Sequence, residues 1–138
     1  MTRVVTFTVP GPCVPWQRAG RGGGRSYTQP ESALYRSSVG WNWLKEAPKG
    51  WPVDGMYSLR VVARYMDRRR RDGDNLLKQV GDALQGLAYK DDSQVVRAEV
   101  FKLSGAAESK TEIEVAIVDA LTLGILVSKS QHWSMGVM

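Results

Sequence analysis

The chain has one cysteine, Cys13, and one histidine, His132, among its 138 residues. A single cysteine excludes an intrachain disulfide and any zinc site built from several cysteines. Aspartate and glutamate, 14 in all, are therefore the only plentiful metal ligands. Their carboxylate oxygens suit hard cations such as Mg²⁺ or Mn²⁺. His132 lies in an aperiodic C-terminal segment, and we treat it as non-catalytic.

Long apolar runs are also absent. No stretch approaches the roughly 20 apolar residues that a membrane span needs. The first residues, MTRVVTFTVPGP, contain no apolar core of a signal peptide before their prolines. We therefore expect a protein of the reducing cytoplasm that has no membrane partner. The length and the 43% hydrophobic content are those of one ordinary globular domain.

The net charge of +5 is unevenly distributed along the chain. Residues 1–71 carry 13 Lys and Arg against 4 Asp and Glu, whereas residues 72–138 carry 6 against 10. A basic half joined to an acidic half suits a nucleic-acid surface placed beside an acidic site. It equally suits two halves of one fold that attract each other, and charge alone leaves both interpretations open.

The hydrophobic pattern predicts a small α+β domain with a mixed or antiparallel sheet and two main helices. Strands are predicted over 3–9, 56–66, 94–103 and 111–118, and helices over roughly 29–46 and from Asp74 to Gly86. The first helix is predicted to bury Leu34, Tyr35, Val39, Trp43 and Trp41.

The connections are predicted less directly than the elements. We expect residues 11–27 to form a loop, and SGAAESK (104–110) to close a hairpin between the last two strands. The domain is predicted to cover residues 1–119, with a C-terminal extension over 120–138. Within it, LTLGILV (121–127) suits an edge strand or a dimer contact, and the remainder is predicted to be disordered.

The stretch DRRRRDGDNLLK (67–78) places four arginines beside paired aspartates. On a helix that starts near Asp74, helical spacing puts Asp74, Lys78 and Asp82 in one stripe, with Asn75 beside it. Asp72 precedes that helix, where an aspartate caps free N–H groups.

A second acidic segment, YKDDSQV (89–95), places Asp91 and Asp92 in a tight link between this helix and the next strand. If that strand returns beside the one that ends at Asp67, the link comes back near the N-terminus of the helix. Three or four carboxylates would then converge.

Taken singly, these residues have ordinary explanations as caps, turns and surface pairs. Taken together, closely held carboxylates repel one another, and a bound cation relieves that repulsion. A Mg²⁺ ion held by two or three aspartates would lower the pKa of a bound water and stabilise charge on a phosphodiester. Lys78 would then stabilise the pentacovalent phosphate or the leaving oxygen.

The arginines are the candidate phosphate contacts. Arg68, Arg69, Arg70 and Arg71 would bind the backbone that flanks the scissile bond. The segment GRGGGR (20–25) is interpreted either as a mobile surface loop or as a flap that closes on phosphates. The flap would act through Arg18, Arg21 and Arg25.

The acidic segments together carry a family likeness. RRRRDGDNLLKQVGDALQGLAYKDDSQV (68–95) resembles the signature region of the RusA family of Holliday junction resolvases, small endonucleases common in phages and prophages. The family pattern is Asp-x-Asp-Asn-x-x-Lys, then Asp-Ala-Leu, then an aromatic residue shortly before Asp-Asp-x-Gln-Val. It is matched at Asp72, Asp74, Asn75, Lys78, Asp82 to Leu84, Tyr89, Asp91, Asp92, Gln94 and Val95. The likeness covers roughly residues 3–118.

The resemblance implies a homodimer of small α+β subunits with one Mg²⁺-dependent site in each, for which Mn²⁺ is a candidate substitute. Such an enzyme cuts two strands of like polarity across a branched, four-way DNA junction. Carried over, Asp72, Asp74 and Asp92 would bind the metal, with Asp91 as a candidate helper. Lys78 would be the catalytic lysine, and Asn75 and Asp82 would support the site.

Two other functions stay open. One is a nuclease of broader substrate specificity that acts on DNA flaps or forks. The other is a non-catalytic, basic DNA-binding module whose acidic residues serve as caps and turns. Dependence of DNA cleavage on Mg²⁺ separates an enzyme from a binding module, because a binding module needs no metal and leaves DNA intact.

Overall fold

A computed structural model of the protein describes residues 3–17, 20–22, 25–27, 29–121, 123–125 and 127–128, and of 20–22 and 25–27 it describes the backbone only. The elements in chain order are strands β1 (Val4–Pro10), β2 (Gly20–Gly22) and β3 (Arg25–Tyr27), helix α1 (Pro30–Glu46), strand β4 (Met56–Arg64), helix α2 (Gly73–Leu84), a 3₁₀ turn (Asp92–Gln94), and strands β5 (Val95–Leu103) and β6 (Lys110–Val118). This is the predicted α+β class.

Four strands form one mixed sheet in the order β1-β6-β4-β5. The predicted alternation along β4 is confirmed, since Tyr57, Leu59, Val61 and Ala63 are all buried on one face. The intervening side chains point to the opposite face, as the period of two in a strand requires. The long helices therefore need to cover only one side of this sheet.

The predicted hairpin between β5 and β6 is wrong. β5 pairs in parallel with β4, whereas β6 pairs antiparallel with the other edge of β4. Parallel strands need a long crossover, and α2 supplies it between β4 and β5. Residues 104–109 must then cross the end of β4, where the backbone N–H of Ala106 donates to the carbonyl of Tyr65 over 2.9 Å.

The core lies between the sheet and the two long helices. α1 buries Tyr35, Val39 and Trp43 as predicted, but Leu34 and Trp41 are 73% and 68% exposed. Those two residues are seven apart and therefore share the outer face of the helix, so their predicted burial is wrong. Trp43 meets the Phe7 and Trp51 rings edge-on, at 6.1 and 5.4 Å.

Two connections differ from the prediction. The segment 11–27, predicted as a loop, contains the short antiparallel hairpin of β2 and β3. The predicted edge strand at 121–127 is helical wherever it is described, beginning where the N–H of Leu123 donates to the carbonyl of Asp119 over 3.0 Å. The predicted disordered tail and His132 lie outside the described residues. No helix in the described ranges is long and apolar enough to cross a bilayer.

Candidate active site

Helix α2 begins as its sequence predicts. The Asp72 carboxylate accepts a hydrogen bond from the backbone N–H of Asp74 over 3.0 Å, so Asp72 is the N-cap. Leu76, Val80 and Leu84 are buried against the sheet. Gly86, at φ 88°, takes the left-handed conformation that follows the helix. The buried stripe fixes the rotation of the helix and leaves Asp74, Lys78 and Asp82 on its other side.

A groove of about 300 Å³ runs between α2 and β5. It is lined by Leu59, Asp74, Leu77, Lys78, Gly81, Asp82, Tyr89, Asp92, Val95 and Ala98. Its polar lining consists of three carboxylates, one ammonium and one phenol, set on an apolar wall. The fold thus brings Asp74 and Asp92, which stand on different elements, to one concave surface.

The acidic link enters this groove from an unpredicted direction. Gly73 lies beside Val100, late in β5, whereas Gly81 lies beside Leu59 and Tyr89. α2 therefore runs antiparallel to β5, and the link at 91–92 lies beside its C-terminal half, not its N-terminus. Within the described ranges no three Asp, Glu, His or Cys side chains gather closely enough to hold one metal ion. Asp72, at the helix N-terminus, does not line the groove.

Tyr89 contributes the phenol of the groove lining. It is buried and donates to the carbonyl of Gly81 over 2.8 Å. Burial, followed by the negative charges of Asp82 and Asp92, raises the pKa of Tyr89 above its ordinary value. Tyr89 is therefore a neutral hydrogen-bond donor at any physiological pH, and its backbone leads directly into the acidic link.

Lys78 is held at the groove by two neighbours. Its ammonium lies 3.7 Å from a carboxylate oxygen of Asp82 and 5.0 Å from the centre of the Trp16 ring. Arg36 approaches the same oxygen of Asp82 at 3.6 Å. The backbone N–H of Trp16 donates to the carbonyl of Asn75 over 2.9 Å, which ties the 11–17 segment to α2.

Trp16 and Arg36 did not emerge from sequence reasoning. Trp16 follows three prolines in a segment without periodicity, and Arg36 is one of many basic residues. Both act by holding Lys78 and Asp82, which are the residues that the helical spacing does reveal. Of the predicted supporting residues, Asp82 is thus a partner of Lys78, and Asn75 anchors Trp16 through its carbonyl.

The two aspartates of the link have different surroundings. The Asp91 carboxylate accepts hydrogen bonds from the N–H and the hydroxyl of Ser93, which lower its pKa. Asp91 is thereby the cap of the 3₁₀ turn. Asp92, which lines the groove, is the carboxylate that this turn presents.

Gln94 fastens the link to the rest of the domain. Its side-chain oxygen accepts from the backbone N–H groups of Lys90 and Asp91, both over 2.8 Å. Its side-chain nitrogen donates to the carbonyls of Val53 and Gly55, over 2.8 and 3.0 Å. One amide side chain therefore sets the position from which Asp92 enters the groove.

Replacing this amide, as Gln94→Ala, is expected to lower the free energy of unfolding by about 2 kcal/mol, because its four hydrogen bonds disappear and their partners are left unpaired. The DNA cleavage that the family resemblance predicts should also fall in rate, since Asp92 loses its anchor. Denaturant titration and a cleavage assay measure the two effects. The control is Gln85→Ala, at an exposed glutamine, and equal behaviour of the two variants would contradict the anchoring role.

The arginines of the 67–72 loop divide into two kinds. Arg71 donates two hydrogen bonds to the Asp67 carboxylate, at 2.7 and 3.1 Å, and its guanidinium lies 3.7 Å from the centre of the Tyr65 ring. The hydrogen bond from Arg71, with that from the N–H of Arg69, lowers the pKa of Asp67 to about 2. Arg71 and Asp67 therefore neutralise each other's charge within the chain.

Arg68, Arg69 and Arg70 are exposed and have no ion pair in the described part of the chain, so their charges face solvent. Of the second predicted arginine set, Arg18 lies outside the described residues. Arg21 and Arg25 belong to the β2–β3 hairpin by their backbone, and the predicted phosphate contacts of their side chains likewise lie outside what is described.

Comparison with known proteins places these features in a family. The family model for endodeoxyribonuclease RusA matches residues 10–116. Proteins named crossover junction endodeoxyribonuclease RusA, from Escherichia coli strain K12 and from Shigella sonnei, are each 32% identical to this chain over 93 residues. Those residues make up 67% of this chain and 77% of each relative. The chain belongs to the RusA family of endodeoxyribonucleases.

Proposed function

We propose that this protein is a Mg²⁺-dependent endodeoxyribonuclease that resolves four-way DNA junctions as a homodimer making paired nicks. The observation that carries the proposal is the placement of Asp74, Lys78 and Asp92 on one groove, in a chain of the RusA family. The curated relatives are named for cleavage at crossover junctions, which supports a branched DNA substrate. The proposal includes action in the cytoplasm on recombining DNA.

The donor type of the groove, carboxylate oxygen, is the one that a magnesium ion prefers. Mg²⁺ usually retains several waters and takes only one or two protein carboxylates together with phosphate oxygens of the substrate. Asp74 and Asp92 are two such carboxylates, and both are exposed to incoming DNA. Asp72 would join them only through the substrate or through a movement of the helix N-terminus. When bound, the ion would activate a water and neutralise charge on the phosphate.

The protein's own groups have definable tasks in this reaction. Asp74 and Asp92 would orient the hydrated cation over the scissile phosphodiester. Lys78 would donate a hydrogen bond to the oxygen that gains charge as the bond breaks. Asp82 and the Trp16 ring keep the Lys78 ammonium at the groove wall, so less of its conformational freedom remains to be lost when substrate binds.

The exposed arginines would bind DNA through its phosphates. Replacing Arg68 and Arg69 together by glutamine is expected to weaken junction binding equally for all sequences. The slope of log K against log salt should become shallower by roughly one for each phosphate that an arginine no longer neutralises. Binding measured at several salt concentrations tests this. An unchanged slope would show that these arginines do not contact DNA, and Arg97→Gln, at an arginine paired with Glu99 outside the groove, is the comparison variant.

The experiment that tests the proposed activity is incubation of the protein with synthetic four-way junction, fork and linear duplex DNA, with and without Mg²⁺. Cleavage of the junction, but not of the fork or the duplex, and only when Mg²⁺ is present, supports the proposal. Equal cleavage of forks would replace it by a broader branched-DNA nuclease. Binding without any cleavage in Mg²⁺ or Mn²⁺ would contradict catalysis.

The paired nicks are tested separately on a supercoiled plasmid that extrudes a cruciform. A dimer that cuts both strands within one bound complex produces linear DNA directly. Independent subunits first accumulate open circles. Accumulation of open circles would contradict the homodimeric mechanism while leaving nuclease activity in place.

A further inference from the structure

Lys78 shares its carboxylate partner with a second cation. The guanidinium of Arg36, on α1, lies 3.6 Å from the same Asp82 oxygen that the Lys78 ammonium approaches at 3.7 Å. Both distances exceed the ~2.7–2.9 Å of a hydrogen bond between such charged groups. Asp82 is therefore a counter-ion shared between two helices, and it is hydrogen-bonded to neither cation.

Arg36 is held in this position by buried polar groups. Its side-chain Nε donates to the side-chain oxygen of Gln79 over 2.9 Å. The Gln79 amide is fully buried and donates in turn to the Ser32 hydroxyl over 2.7 Å. A planar guanidinium that is bound through Nε has little freedom to turn, so its terminal nitrogen stays directed at Asp82.

The other neighbour of the Lys78 ammonium does not compete for its N–H groups. The centre of the Trp16 ring lies 5.0 Å from the ammonium, a contact that attracts the charge without a directed hydrogen bond. The Lys78 side chain is half-exposed. The ammonium is thus kept beside the groove while its three N–H donors stay uncommitted to Asp82.

We infer that Arg36 is a positioning residue, which shares the Asp82 carboxylate and thereby prevents it from binding the Lys78 ammonium directly. A lysine and an aspartate four residues apart on one helix are within reach of a direct ion pair. Without Arg36, the full charge of Asp82 falls to Lys78, and no second cation holds the ammonium back by repulsion. Lys78 would then be withdrawn from the phosphate that it is proposed to meet.

A contact that only joined the two helices would not need this arrangement. The hydrogen bond from Arg36 to Gln79 already ties α1 to α2. The guanidinium nevertheless reaches on to Asp82, and the two side chains are only 29% and 26% exposed. Charges that are partly sheltered from water interact more strongly than those of a fully solvated surface pair. The inference rests on the proposed nuclease function, because it names what keeps the proposed catalytic lysine available.

Arg36→Gln tests the inference first by cleavage. The single-turnover rate of junction cleavage in Mg²⁺ should fall roughly tenfold, because one charge-assisted hydrogen bond must be broken before Lys78 reaches the phosphate. Junction affinity should change by less than about threefold, since the loss of one charge is a small part of a polyelectrolyte interaction. Arg36→Lys retains a cation for Asp82 and should cleave faster than Arg36→Gln. Lys45→Gln removes an equal charge from the exposed end of the same helix and should keep the wild-type rate.

A double-mutant cycle separates positioning from folding. In the Asp82→Asn background the carboxylate charge is absent, so Arg36→Gln should change the cleavage rate by less than about twofold. An arginine that merely stabilised the helix pair would produce the same loss in both backgrounds. Circular dichroism establishes that each variant is folded, and Arg36→Met, of similar length, takes the place of Arg36→Gln if the latter does not fold.

Nitrogen NMR of the Lys78 ammonium gives a readout that needs no cleavage. Its signal is assigned by its loss in Lys78→Ala, in protein free of DNA and metal. The order parameter of the ammonium should rise in Arg36→Gln, because a direct hydrogen bond to Asp82 immobilises it. The rise should be absent when Asp82→Asn is combined with Arg36→Gln.

The outcomes separate this inference from the proposed function. A wild-type cleavage rate in Arg36→Gln, an equal loss in both backgrounds, or an unchanged Lys78 order parameter would each overturn the inference. A loss of junction affinity that accounts for the loss of cleavage would make Arg36 a DNA contact and overturn it as well. If the wild-type protein cuts no DNA in Mg²⁺ while the order parameter rises as expected, the proposed function fails and the control of Lys78 by Arg36 stands.

Discussion

Asp74→Asn and Asp92→Asn are each expected to lower the rate of junction cleavage by roughly 10³-fold or more. Each substitution removes a carboxylate of the groove and preserves the size of the side chain. A ligand that helps a cation to neutralise a transition state is worth several kcal/mol, and each 1.36 kcal/mol is tenfold in rate. Junction binding should be unchanged or tighter, because a negative charge that faces phosphate is removed.

Single-turnover cleavage and gel-shift binding, measured on the same preparations, separate the two effects. Asp54→Asn is the matched control, since it makes the same chemical change at an exposed aspartate paired with Lys90 outside the groove. Cleavage within about threefold of the wild-type rate by either groove variant would remove that residue from the catalytic set.

Asp72→Asn distinguishes capping from catalysis. Asparagine is as good an N-cap as aspartate, so the substitution should leave α2 and the free energy of unfolding unchanged. A loss of cleavage as large as that of Asp74→Asn would therefore show that the Asp72 charge takes part in the reaction. Wild-type cleavage would limit Asp72 to the cap that the structure describes.

The elements were predictable because each leaves a local, periodic record in the sequence. β4 alternates between Tyr57, Leu59 and Val61 and their polar neighbours, which is the pattern of a strand with one buried face. In α2, Asp72 indicates where the helix starts, and Leu76 and Val80 indicate which side is buried. The stripe of charged residues must then lie on the other side. In both elements the side chains that share one face recur at the regular spacing of that element, which is two residues in a strand and three or four in a helix.

Pairing between elements has no such local record. The residues 104–110 look like a hairpin loop, and nothing in their composition tells that β4 lies between the strands they join. Because β5 is parallel to β4, Asp92 reaches the groove beside the C-terminal half of α2. Helical spacing could identify Asp74, Lys78 and Asp82 as one stripe, but only the sheet order determines which end of that stripe Asp92 approaches.

Charge is similarly ambiguous until partners are known. Arg68 to Arg71 are identical in sequence terms, yet only Arg71 is enclosed, by Asp67 four residues earlier and by the Tyr65 ring. Tyr65 enters this contact because it continues the buried alternation of β4 beyond the end of the strand. The fold around this loop therefore determines that Arg71 has a structural role, whereas Arg68, Arg69 and Arg70 are available to bind phosphate.

Lys78→Ala is expected to lower the turnover rate by about 10²-fold or more, the usual order for the loss of one electrostatic stabiliser. Its ammonium is positioned in advance by Asp82 at 3.7 Å and by the Trp16 ring, while its side chain remains 48% exposed and therefore within reach of substrate. Junction affinity should change by less than about threefold, since one lysine contributes a small part of a polyelectrolyte interaction.

Lys90→Ala, at a lysine paired with Asp54 away from the groove, should retain both turnover and affinity. Multiple-turnover and binding measurements on the two variants therefore distinguish a catalytic ammonium from a surface ion pair. Normal turnover by Lys78→Ala would reduce Lys78 to a partner of Asp82, and a parallel loss of affinity and turnover would assign it to DNA binding.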